Sequence, residues 1–211
     1  MQYGLLLIVA VAAITSQAAE RPTLGFITEF PDDVSQEVRD EFRMETERIL
    51  QVAGVDLAWR SPNQAGSRDS FSRMVVMSFR SGCTPALTTA RRGGTALGVT
   101  SVTGGRVLPF VELDCHRVQE SAEMGGCQTR SLRCAAILGR ALARVAAHEM
   151  FHVLTASRAH AKSGLMKAAF DRQDLRGPEL SFSRESIGRL RISLGTETAQ
   201  AALRAAPATD H

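Results

Sequence analysis

The sequence predicts an α+β domain on three observations. Short runs of apolar and β-branched residues, bounded by Pro, Gly and Asp, fill much of the first half as strands do. One segment among them instead carries apolar residues at helical spacing. From Ser131 onward the periodicity becomes that of a long helix. At 211 residues, with 44% hydrophobic and 22% charged side chains, the chain suits one domain around one core.

Residues 23–30 alternate small and apolar side chains and stop at Pro31, which predicts a strand. Asp32 and Asp33 then offer a helix cap and favourable negative charge at a helix start. Val34, Val38, Phe42 and Ile49 recur at helical spacing, and Gly54 is placed to end that helix. Residues 55–59 predict a second strand, with Val55, Leu57 and Trp59 on one face. The polar stretch 61–70 is expected to be a loop and 74–79 a buried strand. Beyond Arg91-Arg92-Gly93-Gly94 a hairpin follows, with arms 96–102 and 107–113 joined through Thr103-Gly104-Gly105-Arg106. Pro109 lacks an N–H for the ladder and demotes the second arm to an edge strand. The long helix carries the stripe Leu138, Leu142, Val145 toward Glu149 and His152. A loop is expected over 157–164 and a last amphipathic helix over 182–194. The expected architecture is an N-terminal mixed β-sheet with a packed helix, then a helical half.

Residues 1–19 read as an export signal. The apolar run at 4–14 is too short to span a hydrocarbon layer of about 30 Å as a helix. Ser16-Gln17-Ala18-Ala19 then offers the small side chains that cleavage needs. The domain occupies 20–195, and 196–211 is an Ala-rich, polar tail expected to be loosely ordered. The chain is therefore expected outside the cytoplasm, secreted or periplasmic, as a monomer with no stable membrane association once the signal is removed. Cys83, Cys115, Cys127 and Cys134 all follow the signal, and an even number in an exported chain implies two disulfides. Cys127 and Cys134 are near enough to close a small loop, which would leave Cys83 with Cys115, but spacing alone leaves the pairing open. With no Cys-x-x-Cys pair, a thiolate metal site is not expected. The formal charge of +3, from Arg spread along the chain, argues against a nucleic-acid partner.

Chemistry concentrates at His148-Glu149-Met150-Phe151-His152. Histidines four apart on a helix project from one face, so both imidazoles can reach one metal ion. The Glu between them points beside that face, where it can take a proton from water on the metal. The apolar stripe before the motif puts it on the buried side of its helix. Two buried imidazoles and a buried carboxylate are costly without a cation to satisfy them. A catalytic zinc keeps three protein ligands and one open position. His160, in the loop eight residues past His152, is the best third ligand. Asp171, Asp174, Glu179 and Glu185 are its acidic competitors.

This combination resembles the metzincin clan of zinc peptidases: His148-Glu149-x-x-His152, a third His in a following loop, then Ser163-Gly164-Leu165-Met166. It is most similar to small exported bacterial metzincin-like proteins with the same gap between second and third His. Leu97-Gly98-Val99 and Pro109-Phe110-Val111-Glu112-Leu113-Asp114 share the likeness, which covers residues 23–195. The resemblance implies a zincin fold and one catalytic Zn2+ on His148, His152 and His160. It also implies Glu149 as general base and Met166 in a tight turn beneath the histidines. A peptide or protein substrate would add as an extra strand beside the cleft, bordered by the Pro109 edge strand.

Two departures stand out. Thr155 and Arg158 occupy the positions where the usual pattern has Gly and the third His, so this chain must turn later or differently. Phe151 stands where a Gly often precedes the second His. The only tyrosine, Tyr3, lies in the signal, so charge developing on a substrate oxygen would fall to the metal, with Arg158 or Arg172 as candidate helpers. Two other readings use the same residues: a catalytically silent zinc-binding module for protein recognition, and a zinc hydrolase of a cell-envelope amide. Glu149 favours an enzyme, because metal binding alone does not require it.

Overall fold

The computed structural model describes residues 22–64, 71, 73–83, 96–125, 127 and 131–195. The signal expected at 1–19, the expected loop past residue 64, the Arg91–Gly94 stretch and the tail expected at 196–211 lie outside the described residues.

Five strands form one mixed sheet: β1 (Thr23–Thr28), β2 (Asp56–Arg60), β3 (Arg73–Ser81), β4 (Gly98–Thr103) and β5 (Arg106–Asp114). Their order is β2-β1-β3-β5-β4, with every neighbouring pair parallel except β4 and β5. β1 lies inside the sheet and is buried along Leu24 to Thr28, as a strand covered on both faces must be. The helices are α1 (Gln36–Gln51), α2 (Cys115–Ser121), α3 (Leu132–Thr155), α4 (Arg172–Arg176) and α5 (Arg184–Ser193). The α+β expectation holds at this level, with the mixed sheet first and the helical half after it.

The core lies between the sheet and the pair α1 and α3. Alternation on the strands aims Phe26, Val75, Met77, Val111 and Leu113 inward, where they meet Val38, Phe42 and Ile49 of α1 and Leu138, Leu142 and Val145 of α3. Phe26 makes an edge contact with Trp59 at 4.7 Å and stacks toward Phe42 at 6.4 Å. The same alternation turns Met74 and Phe110 outward, where both are exposed.

Local expectations hold with three corrections, the first being that β3, expected to be buried, is buried at Val75 and Met77 while Met74 and Ser78 are exposed. Asp32 and Asp33 do not cap α1: the Pro31 carbonyl accepts the Val34 N–H, the aspartates sit in that turn, and Ser35 takes the N-cap position. The helix stops at Gln51, and Gly54 adopts a left-handed φ of 79° just beyond it. The hairpin turns through Gly104 and Gly105, with φ of 56° and 77°.

Pro109 does not mark an edge strand. β5 lies between β3 and β4, and β4 is the outer strand. The ladder accommodates the proline by a bulge. Thr100 pairs with Val111 and Val102 with Val107, so Leu108, Pro109 and Phe110 face Ser101 alone, and β3 joins β5 only from Phe110 onward. Bulges and edges relieve the missing N–H equally well, and here the bulge does so.

Disulfides join Cys83 to Cys115 and Cys127 to Cys134. The first ties the chain just beyond β3 to the start of α2, and the second tethers the start of α3. Two disulfides suggest a protein of an oxidising, extracytoplasmic compartment. Among the described residues no helix is long and apolar enough to cross a membrane.

A buried ionic network crosses the helix pair. Arg144 of α3, with no exposed surface, donates to Glu45 of α1 at 2.9 Å and to the carbonyls of Asp174 and Pro178. Arg48 donates to the same carboxylate at 2.6 and 2.9 Å and reaches the Leu180 carbonyl at 2.8 Å. Glu45 thus holds the two arginines that tie α1 and α3 to carbonyls of α4 and of the segment after it.

Candidate metal centre

The last two turns of α3 carry the site. The apolar stripe that buries α3 runs on into His148, Glu149 and His152, only 5%, 8% and 7% exposed. Phe151 is buried on another side of the helix, against Phe182 at 5.6 Å and under the Arg189 guanidinium.

The turn out of α3 comes at Ala156, directly after Thr155. Ala156 has a left-handed conformation (φ 47°, ψ 36°), and its N–H is held by the carbonyls of His152 and Val153. Thr155 stays helical, its hydroxyl donating to the Phe151 carbonyl. Past this cap the chain doubles back. Ala161 N–H donates to the Met166 carbonyl at 2.7 Å, Ala161 bridges to Lys167, and a 3₁₀ turn at Gly164–Met166 buries Leu165 and Met166.

This return brings His160 to the helix. Its ring centroid lies 5.2 Å from that of His148 and 5.0 Å from that of His152. Nitrogens of all three lie within 4.8 Å of one another, and among the described residues no other cluster of metal-ligating side chains does so. Asp171 and Asp174, offered by the sequence as rivals, are engaged elsewhere: they form a capping box on α4 and hold Lys167. Glu179 and Glu185 do not join the cluster either.

The histidine tautomers follow from their partners. His148 Nδ1 meets the Leu165 carbonyl at 2.8 Å and His152 Nδ1 meets the Ser157 carbonyl at 2.6 Å. A carbonyl only accepts, so both Nδ1 atoms carry protons and both Nε2 atoms present lone pairs. Those two Nε2 atoms face each other at 3.1 Å. Burial pushes the His148 pKa down to about 4, against the helpful Leu165 carbonyl, and also lowers that of His152. Neither ring therefore gains a proton to place between the nitrogens near neutral pH, and a cation would satisfy both. Two imidazoles bound at about 2.0–2.1 Å to one tetrahedral ion would stand roughly 3.3 Å apart, close to this separation. Three close histidines can thus bind a metal ion.

Glu149 lies beside the triad. Burial raises its pKa, and the hydroxyl of Thr100, donating to Oε2 at 2.7 Å, works against that rise. The carboxylate opens into a cleft of about 610 Å³ between β4 and the loop past His160. Val99, Val102 and Phe170 give it apolar walls, and Phe170 also sets its ring edge-on to His148 at 5.4 Å. β4 supplies most of the strand side of this cleft, and Val107 of β5, the strand of Pro109, also lines it.

No protein-family model matches the chain, and no curated protein matches it.

Of the candidate helper cations, Arg158 lines the cleft and is exposed, whereas Arg172 pairs with Glu123 at 3.0 Å on the surface. Sequence reasoning missed Thr100 and Phe170. Neither lies in a motif, and each meets the site only through the folding of a distant segment onto α3.

Proposed function

We propose that this chain is an exported, zinc-dependent peptidase of the metzincin type, holding zinc through His148, His152 and His160. The observation that carries this reading is the pair of bare Nε2 atoms 3.1 Å apart, joined by a third imidazole and flanked by a buried carboxylate. Three imidazoles without a thiolate, with one position left open, suit catalytic zinc. Zinc supplies a Lewis acid that makes water nucleophilic near neutral pH and polarises the carbonyl under attack.

The chain's own residues do the rest. Glu149 accepts a proton from the attacking water and passes it to the departing amine nitrogen, so that water adds across the broken C–N bond. The carbonyls of Leu165 and Ser157 fix the two helix imidazoles with Nε2 toward the metal. An extended peptide adds along β4, the outer strand, and lays its scissile carbonyl beside Glu149. In this reading Met166, buried next to the residue whose carbonyl holds His148, would serve as the turn methionine.

Zinc content and cleavage of an unstructured protein such as casein test this reading. The wild type should carry one zinc and cleave. Glu149→Ala should keep the zinc and lose cleavage by a factor on the order of 10²–10⁴. His160→Ala should lose zinc and activity together. A wild type that holds no zinc overturns the proposal, and zinc without cleavage favours the silent binding module.

A further inference from the structure

Glu149 is held from outside its own helix. β4 comes unusually close to α3 at Gly98. A Cβ built there would lie 2.8 Å from Val145 Cγ1, 2.9 Å from Glu149 Cγ and 3.0 Å from Leu113 Cδ2. The missing side chain is the space in which the methylenes of Glu149 rest. Two residues on, and so on the same face of the strand, stands Thr100. Its hydroxyl lies 2.7 Å from Glu149 Oε2 and 3.1 Å from the Glu149 main-chain carbonyl. A hydroxyl has one proton, and the shorter contact to the carboxylate takes the larger share of it.

We propose that Thr100 is a positioning residue for Glu149. Gly98 lets the side chain lie flat against β4, and the Thr100 hydroxyl ties down Oε2, leaving Oε1 to face the cleft. This rests on the peptidase reading for the role of Glu149, whereas the restraint itself is the Thr100–Glu149 hydrogen bond. The geometry has a further consequence. β4 is also the strand along which a peptide would add, so the element that receives the substrate is the one that aims the base.

Thr100→Val keeps the β-branched shape and strand propensity and removes only the hydroxyl. With casein and a fluorogenic peptide, this variant should keep one zinc and an unchanged KM while kcat falls on the order of 10- to 100-fold, the cost of a misplaced catalytic group. Thr100→Ser, which retains the hydroxyl, should recover most of the rate. An unchanged kcat in Thr100→Val overturns the proposal. So does a loss in which KM rises, zinc is lost and Ser gives no recovery, because that pattern belongs to a merely structural residue.

Crystals of the metal-free wild type and Thr100→Val supply a readout that needs no activity. The Glu149 carboxylate should occupy one position in the first and spread over several rotamers in the second. The same single position in both overturns the proposal. If the wild type proves inactive on every peptide, the peptidase reading falls, while these crystals still decide whether Thr100 holds Glu149.

Discussion

At the residue scale, the side chain that ties most of the molecule together is Arg144, buried on α3 and bonded to Glu45 and two carbonyls. Cutting one partner from a buried ion pair leaves the other charged and poorly solvated. Arg144→Met should therefore destabilise the fold by about 3 kcal/mol, read as a lower midpoint in urea, although Arg48 still partners the carboxylate. Glu45 itself makes a pH prediction. Burial alone would raise its pKa, but hydrogen bonds from Arg48 and Arg144 outweigh burial and hold it below its ordinary 4.5. A carboxylate with a depressed folded pKa contributes its full stability above the unfolded value and loses it as pH falls through the folded one. The stability gap between wild type and Glu45→Gln should accordingly be constant above about pH 5 and shrink steadily below it, measured by denaturant unfolding at each pH. Nothing in the sequence around position 144 announces this pair, because Arg144 sits among alanines on a helix that looks apolar there. His148, Glu149 and His152 were legible by contrast, since their spacing is a property of one helix.

Elements meet the site at two places where backbone shape matters. The end of α3 uses Ala156 in a left-handed conformation that costs a residue with Cβ roughly 1–2 kcal/mol. Ala156→Gly should relieve that strain, offset in part by the greater freedom of glycine in the unfolded chain, and raise stability by about 0.5–1 kcal/mol. A calorimetric Tm that falls instead would show that Ala156 packs in a way the φ angle does not reveal. Gly98 is the opposite case. Gly98→Ala would force β4 from α3, because its new methyl would meet Val145, Glu149 and Leu113 at 3.0 Å or less. Overpacking of this kind costs about 1–3 kcal/mol. The element pattern itself was largely readable: β1, α1, β3, the hairpin, α3 and α5 all follow from periodicity. The short helices α2 and α4 were not, having too few turns to establish a stripe.

For the molecule as a whole, the cross-links set the balance, and a metal on the three histidines would add to it. The Cys83–Cys115 bridge closes a loop with a sequence separation of 32 and the Cys127–Cys134 bridge one of 7. Loop entropy then gives the first about 3.7 kcal/mol and the second about 2.5 kcal/mol. Replacing the first pair by alanines should lower the urea midpoint further than replacing the second. Metal bound only by the folded state adds to both. Dialysis against a chelator should lower Tm, and returning zinc should restore it in wild type but not in His160→Ala. Equal Tm with and without metal would mean that the three histidines take up no ion.

What short-range geometry governs was legible in residue order alone. Strand alternation, the helical stripe and the His-Glu-x-x-His spacing each depend on a repeat within one element, so residue order is enough to read them. The tertiary structure decided everything that joins distant segments. It made β4 the outer strand and turned Pro109 into a bulge. It paired the cysteines, folded His160 back onto α3, and set the Thr100 hydroxyl on Glu149, 49 positions away. Such contacts depend on how whole faces pack, and packing is a sum over many weak, long-range contacts that no local pattern carries.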